Sequence, residues 1–491
     1  MDAMSTPQQA VGIVGAGVMG IGIAQVAALA GHPVRLLDAR DGAAAAALER
    51  LAQTLAGLVG KGRLSDAQCQ SALQRLQPVD RLAELADCDL VVEAIVERAE
   101  PKQALLRELD ALLPPAALLA SNTSSLSITL LANGLRHPGR LVGMHFFNPV
   151  PLMQLVEVVA GAETDEGALV AVERLAQAWG KVPVRAASTP GFIVNRIARP
   201  YYAETLALLQ EQAGPPADLD SALRAAGFRM GPCELMDLIG HDTNSLVTRS
   251  VWEANFGDRR YQPSLVQQAL VDGGRLGRKT GRGFFEGPAP RRAPVPRPAS
   301  PPPICLVGQG PNVDRLAARL PGVARQAADW NGLRSEGFEL GFTDGRCAYE
   351  TGRALMDWLA HDSADALAVT HDVPLVHDLL GCAGLHALPL RDLPGLVVAR
   401  TLAMLVNEAS DAVWQGVCTE VGADTAMRLG VNYPLGPFAW RTQFGAGPIC
   451  AVLDALWAHS RGERYRVSPP LRRAAFEGRF GECPQALTGR T

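Results

Sequence analysis

Val11-Gly12-Ile13-Val14-Gly15-Ala16-Gly17-Val18-Met19-Gly20 is the stretch that decides how this chain folds. A short apolar run ends at a glycine, and a helical stretch, Ile21–Ala30, follows until Gly31. In a strand–turn–helix of this kind the first glycine, Gly15, makes the tight turn. The second, Gly17, lets the backbone approach a pyrophosphate, and the third, Gly20, lets helix and strand pack. The helix N-terminus then offers N–H groups and positive potential to the phosphates. Alone the pattern is weak. Asp38 strengthens it by ending the next apolar run eighteen residues after Gly20, where an acceptor for a ribose 2′-hydroxyl belongs. A carboxylate there repels a 2′-phosphate, so NAD is favoured over NADP, with Arg40 nearby keeping NADP open.

The surroundings fit a doubly wound sheet. Short apolar runs at Val11–Val14, Val34–Asp38, Leu90–Ile95, Leu118–Ser121, Leu141–Phe147 and Leu155–Val159 alternate with amphipathic stretches such as Glu100–Leu113. Alternation of this kind implies a parallel sheet with helices on both faces. A helix over Glu166–Trp179 and a strand over Lys181–Arg185 complete the domain, and Thr189-Pro190-Gly191 breaks it off. The expected class is therefore α/β plus all-α. A Rossmann-type domain over 1–189 is followed by a helical domain over 190–286, opening with a long helix from Gly191 through Gln212. Residues 287–303 are proline-rich and are expected to be an extended, unpacked linker. A mixed α/β segment over 304–393 and a second helical segment over 394–491 complete the chain.

That second helical segment echoes the first. Gly191–Arg196 is repeated by Gly395–Arg400; Ala222–Arg224 and Met230-Gly231-Pro232 are repeated by Ala426–Arg428 and Leu435-Gly436-Pro437. The offset is 204 and then 205, which points to a duplicated helical domain. The second copy is expected to be degenerate and noncatalytic. Ala399 stands where Asn195 does, and Val313 takes the third glycine position after Gly308-Gln309-Gly310.

Composition excludes several classes. At 491 residues two to four domains are expected, and a net charge of −4 with no basic stripe argues against nucleic acid. No apolar run reaches the length of a membrane helix. Met1–Gln9 lacks the basic and apolar regions of an export signal, and the nine cysteines carry no C-x-x-C pattern, so a reducing cytoplasm is expected.

Gly143-Met144-His145-Phe146-Phe147-Asn148-Pro149, with Glu157 twelve residues beyond His145, carries the chemistry. A lone histidine in an apolar strand is more often a core residue. Here a proline-rich reversal, Asn148–Pro151, can return the chain so that Glu157 meets the imidazole, and two phenylalanines can keep water out. A carboxylate on one ring nitrogen fixes the tautomer and makes the other nitrogen a base. Ser121-Asn122-Thr123-Ser124-Ser125 follows a strand; one of these is expected to cap the next helix, or else a hydroxyl faces the ligand crevice. Asn195 is either a surface residue or an amide donor across the domain cleft.

Taken together these residues resemble the 3-hydroxyacyl-CoA dehydrogenase family. The resemblance runs from Val11 to about Glu286 and includes Val91–Glu97, Ala120–Ser125, Gly143–Val150, Leu155–Glu157, Pro190–Arg196 and Gly277–Phe284. It implies an NAD-dependent enzyme oxidising (S)-3-hydroxyacyl-CoA thioesters, of the 3-hydroxybutyryl-CoA or 3-hydroxyadipyl-CoA type, to 3-oxoacyl-CoA. The setting would be fatty-acid or phenylacetate catabolism. It implies His145 as general base, Glu157 as its partner, and Ser124 and Asn195 on the substrate's oxygens. Asp38, Glu97, Lys102, Asn148 and Lys279 become cofactor contacts, and Lys61 and Thr54 contacts to the CoA moiety. In shorter relatives the helical domain forms a dimer interface, so a homodimer is expected, although the duplicated helical domain can mimic that contact within one chain. No metal is implied. The alternatives are a β-hydroxyacid or sugar dehydrogenase of similar layout, which would use lysine as acid/base, and a noncatalytic NAD-binding homologue.

Overall fold

The computed structural model describes residues 9–295 and 297–480; the start of the Met1–Gln9 stretch, Pro296 of the linker and the end of the second helical segment lie outside them. The chain divides into two compact units, Met1–Asn195 with Gly416–Gly430, and Arg196–Gln415 with Val431–Thr491.

The first unit is built on eight strands: β1 (Val11–Val14), β2 (Val34–Leu37), β3 (Leu76–Val79), β4 (Leu90–Glu93), β5 (Leu118–Ser121), β6 (Leu141–Phe146), β7 (Leu155–Ala160) and β8 (Val182–Ala187), in the order β3-β2-β1-β4-β5-β6-β7-β8. Central strands of a parallel sheet are covered on both faces, which is why they read as unbroken apolar runs. Ile13, Leu36, Val92, Met144 and Val158 are wholly buried. Two features differ from the sequence expectation. Strand β3, Leu76-Gln77-Pro78-Val79, has no apolar run to announce it, and its proline is tolerated because the strand lies on the sheet's edge. The sheet is also not wholly parallel. The link between β6 and β7 is too short for a crossover helix, so these two strands pair antiparallel. The opposite edge, β8, is met by chain from much later: the N–H of Ala187 donates to the carbonyl of Val417 at 2.8 Å. The helix Glu420–Gly430 follows from there.

The second unit combines helices with a seven-stranded mixed sheet. Its strands are β9 (Cys305–Val307), β10 (Ala324–Gln326), β11 (Gly332–Ser335), β12 (Phe338–Phe342), β13 (Ala354–Met356), β14 (Ala366–Val369) and β15 (His386–Pro389), in the order β10-β9-β11-β12-β13-β14-β15. The long helix expected from Gly191 is two pieces, Val194–Ile197 and Arg199–Gln210. Pro200 has no N–H to continue the ladder, so the helix restarts there. The proline-rich 287–303 segment is not an unpacked spacer. Ala289 is buried, Arg291 pairs with Glu234 at 3.1 Å, and the Pro290 carbonyl accepts from Arg224.

At the centre of this unit the helices Arg199–Gln210 and Val398–Trp414 carry buried carboxylates that serve each other's flanks. Glu408 accepts from Arg196 Nε (2.6 Å), Arg260 (3.2 Å) and the Tyr261 hydroxyl (2.6 Å). Glu204 accepts from Arg400 Nε (2.8 Å), Arg464 (2.6 Å) and the Tyr465 hydroxyl (3.2 Å). Burial works against the Glu408 carboxylate, but Arg196 and Arg260 outweigh it and hold its pKa below the usual range. Removing one partner of a buried ion cluster leaves the other charges uncompensated. We therefore expect Glu408→Ala to lower unfolding free energy by about 3–5 kcal/mol, read by chemical denaturation; a loss near zero would show that the guanidinium groups find water.

Asp357, after β13, is also fully buried, and burial pushes its carboxyl up to about 6. A carboxyl raised above its unfolded value of about 3.9 contributes stability that is complete below that value and is lost as pH rises through the folded pKa. The fall in melting temperature between pH 4 and pH 7 should therefore be shallower in Asp357→Asn than in the unaltered protein.

Candidate active site

The nucleotide turn shows why three glycines are needed. A Cβ on Gly15, whose φ is 112°, would stand 2.4 Å from the Ala94 carbonyl oxygen, and one on Gly20 would stand 1.8 Å from that of Gly15. Nothing lies within 4 Å of a Cβ built on Gly17, so a ligand can reach the backbone there. The helix Val18–Leu29 begins next to it. Asp38 Oδ2 accepts from the N–H of Ala16 at 2.8 Å, tying the end of β2 to this turn. Partial burial raises the Asp38 pKa, but the bonds from Arg40 and Ala16 overcome it and keep the carboxyl below its usual range. Arg40 Nε donates to Asp38 Oδ1 at 3.1 Å, so the cation that left NADP open is engaged by the carboxylate itself.

A second carboxylate, Glu97, gathers the loop after β5. Its Oε1 accepts from the Thr123 hydroxyl (2.7 Å), the Ser124 N–H (2.7 Å) and hydroxyl (3.1 Å), and the Ser125 N–H (3.1 Å) and hydroxyl (3.2 Å). The other oxygen faces Lys102 Nζ at 3.2 Å. Burial lifts the Glu97 pKa; Lys102 and the loop donors outweigh that and lower it. Lys102 is buried and also pairs with buried Glu93 at 2.6 Å, whose other oxygen accepts from the Ser121 hydroxyl. The expectation that one of Ser121–Ser125 caps the next helix is not met. The cap is Ser127, which accepts from the N–H of Leu130, while Glu93 holds the Ser121 hydroxyl and Glu97 those of Thr123, Ser124 and Ser125. Glu93 and Asn122 were not singled out as site residues. A carboxylate closing an apolar strand was the visible sign of the first. Asn122, whose Oδ1 accepts from the Phe146 N–H at 2.9 Å, had none.

His145 and Glu157 stand directly opposite each other in the antiparallel β6–β7 pair. His145 Nδ1 lies 2.6 Å from Glu157 Oε2, with the histidine 6% exposed and the glutamate fully buried. Glu157 Oε1 accepts from the N–H groups of Ile193 (3.0 Å) and Val194 (2.8 Å). These two N–H groups are aimed by a left-handed turn, Gly191 at φ 79° and Phe192 at φ 47°. A non-glycine residue in that region is strained by about 1–3 kcal/mol, which the captured carboxylate offsets. Phe147 packs 4.6 Å and Phe192 5.8 Å from the imidazole, centroid to centroid. Asn195, next along the helix, directs its amide nitrogen to the Ser124 carbonyl at 3.4 Å.

The remaining predicted residues are spread out. Exposed Asn148 and Thr54 line one 220 Å³ cavity with Arg50 and Pro149. Lys61 is exposed at the end of the helix Ala43–Gly60. Lys279 belongs to the second unit, where it pairs with Asp242 at 2.5 Å. That unit also holds a histidine–carboxylate pair that sequence reading missed, His241 and Asp237 at 2.8 Å. Asp237 accepts from the N–H groups of Phe284 and Phe285, so this pair fastens the Gly283–Phe285 turn.

Comparison with known proteins places the fold in a family. Residues 10–189 match the model of the 3-hydroxyacyl-CoA dehydrogenase NAD binding domain, and residues 191–287 and 395–486 both match that of the family's C-terminal domain. A 3-hydroxyadipyl-CoA dehydrogenase of Escherichia coli is 43% identical over 483 residues, covering 95% of this chain and 98% of that protein. The crystal structure of 3-hydroxybutyryl-CoA dehydrogenase from Escherichia coli superposes with a TM-score of 0.86 at 41% identity, over 96% of this chain and 99% of that one. The (S)-3-hydroxybutyryl-CoA dehydrogenase of Ralstonia eutropha gives a TM-score of 0.55 at 39% identity, covering 57% of this chain and 98% of its own. This chain belongs to the 3-hydroxyacyl-CoA dehydrogenase family. It is an oxidoreductase that acts on 3-hydroxyacyl-CoA with NAD as its cofactor.

The turn geometry gives a direct check on the cofactor site. Because a Cβ at position 20 collides with backbone rather than with a movable side chain, Gly20→Ala should weaken NADH binding by an order of magnitude or more, measured by fluorescence titration; unaltered affinity would mean that the turn does not seat the pyrophosphate.

Proposed function

We propose that His145 is the general base of this dehydrogenase and that Glu157 holds it. The observation that carries the reading is the 2.6 Å contact between His145 Nδ1 and a carboxylate whose second oxygen is locked by two backbone N–H groups. A buried carboxylate on Nδ1 retains the ring proton there and leaves Nε2 as the lone-pair nitrogen. The substrate's 3-hydroxyl proton passes to Nε2, and the imidazolium that forms is stabilised by the adjacent negative charge. Bound NAD supplies the hydride acceptor for C3. Phe147 and Phe192 limit water at the imidazole, and Ser124 and Asn195 orient the substrate's oxygens. Open backbone at Gly17 and the Asp38 carboxylate are the features that suit NAD. Gly15, Gly20, Glu97, Lys102, Asn148 and Lys279 complete the cofactor contacts in this reading, and Thr54 and Lys61 serve the CoA moiety. The substrate is of the 3-hydroxybutyryl-CoA or 3-hydroxyadipyl-CoA type, which the names of the similar proteins favour. Phenylacetate catabolism, the cytoplasm and a homodimer belong to the same proposal.

The proposed segments are 1–189, 190–286, 287–303, 304–393 and 394–491, the last two forming a degenerate second copy. Four residues of the first helical segment, Arg196, Glu204, Arg260 and Tyr261, have counterparts 204 positions on in Arg400, Glu408, Arg464 and Tyr465. The N–H of Gln309 donates to Asn331 Oδ1 at 2.8 Å, as that of Ala16 does to Asp38 Oδ2, across the same 22 residues. Asp357 accepts from the N–H groups of Val397 and Val398 after a left-handed Gly395-Leu396 turn, as Glu157 does from Ile193 and Val194. Degeneracy is supported by an amide where the ribose carboxylate belongs, by Val313 at the third glycine position, and by Pro311, which brings no N–H to the helix start.

His145→Ala should lose on the order of 10²–10⁴-fold in turnover while NADH binding is retained, assayed as NADH formation from 3-hydroxybutyryl-CoA and from 3-hydroxyadipyl-CoA. Near-normal turnover in that variant would sink the assignment.

A further inference from the structure

We propose that Gly430, the last residue of the helix Glu420–Gly430 contributed by the second half of the chain, is a positioning residue of the catalytic pocket. The proposal rests on His145 and Glu157 being the base and its partner.

Three observations carry it. First, residues 416–430 fold into the compact unit that holds His145, although more than 200 residues separate them from Asn195. Gly422 of this helix faces Val184 of β8, and the helix ends at Gly430. Secondly, Gly430 has no conformational need to be glycine. Its backbone is not left-handed, so the end of the helix does not call for glycine; it is buried, and 204 residues earlier the corresponding position is Ala226. A packing reason is therefore required. Thirdly, that reason is visible in what a Cβ would meet: Leu155 Cδ2 at 2.7 Å, Val194 Cγ2 at 3.0 Å and Phe147 Cε1 at 3.7 Å.

Each of those neighbours bears on His145. Leu155 precedes Glu157 by two positions on β7, and so shares its side of the strand. Val194 gives Glu157 one of its two backbone hydrogen bonds. Phe147 lies against the imidazole itself. Val194 and Leu155 are both almost wholly buried, so neither can move aside without displacing others. A Cβ at 430 therefore presses on Leu155 and on Val194, the anchor of Glu157, and comes into contact with the ring that lies against His145. The missing Cβ lets the helix seat against all three without disturbing the pair.

The experiment compares Gly430→Ala, Gly430→Val and Gly422→Ala in the full-length protein. Gly422 lies on the same helix, against Val184 and Thr419, and controls for loosened packing. Turnover of 3-hydroxybutyryl-CoA, its pH profile, NADH affinity and melting temperature are measured for each. We expect kcat to fall on the order of ten- to a hundredfold in Gly430→Val, less in Gly430→Ala. The acid limb of the pH profile should be displaced and NADH affinity kept, while Gly422→Ala retains kcat and profile. An unshifted pH profile in both Gly430 variants, or an equal effect from Gly422→Ala, overturns the proposal. If Gly430→Val does not fold, the alanine variant decides by the same readouts. An active His145→Ala would instead defeat the functional reading beneath it, so the two failures are separable.

Discussion

A carboxylate with no exposed surface can persist only if its charge is answered on every side, and Glu157 meets that condition with one imidazole and two backbone N–H groups. Desolvating an isolated carboxylate costs several kcal/mol, so each donor must be delivered to a fixed place. The antiparallel register of β6 and β7 delivers the histidine. The left-handed turn at Gly191 and Phe192 delivers the N–H groups. Relaxing either would leave a buried charge short of partners, which makes the His145–Glu157 geometry and the local fold one requirement.

The same logic recurs beside it in a wetter setting. Glu97 collects the Thr123–Ser125 loop on one oxygen while Lys102 answers the other, and Lys102 itself is held by Glu93 at the end of β4. Glu93 is fully buried and Glu97 is partly open, so the chain of charges runs from the sheet interior toward the surface. Rigidity is thus handed outward from a strand end to the loop that carries Ser124. A hydroxyl on a loop tethered this way keeps little conformational freedom.

Much of the first unit was legible because its signals are local. The glycine turn, the unbroken apolar strands and Asp38 each follow from backbone geometry within a few dozen residues. His145 and Glu157 were legible because a short connection must fold back, which brings residues twelve apart into register. The misses share a different cause. Strand β3 is an edge strand whose pairing, not its composition, makes it a strand. Ser127 replaced the expected cap because Glu93, and Glu97 in the loop after β4, engage the earlier hydroxyls. The linker's attachment depends on Glu234 and Arg224, far away in sequence. Nor does any pattern in residues 420–430 reveal that this helix folds with a sheet more than 200 residues earlier.

The crossed pairing of Glu204 and Glu408 bears on how such a chain can change over generations. Each glutamate is neutralised by arginines from the other helical segment, Arg400 and Arg464 for the first and Arg196 and Arg260 for the second. Neither segment is electrically self-sufficient. A gene broken within the proline-rich stretch would therefore encode two pieces, each burying cations or anions meant for the other. Simple truncation between the two segments would strand these charges, so these few positions are constrained in both at once.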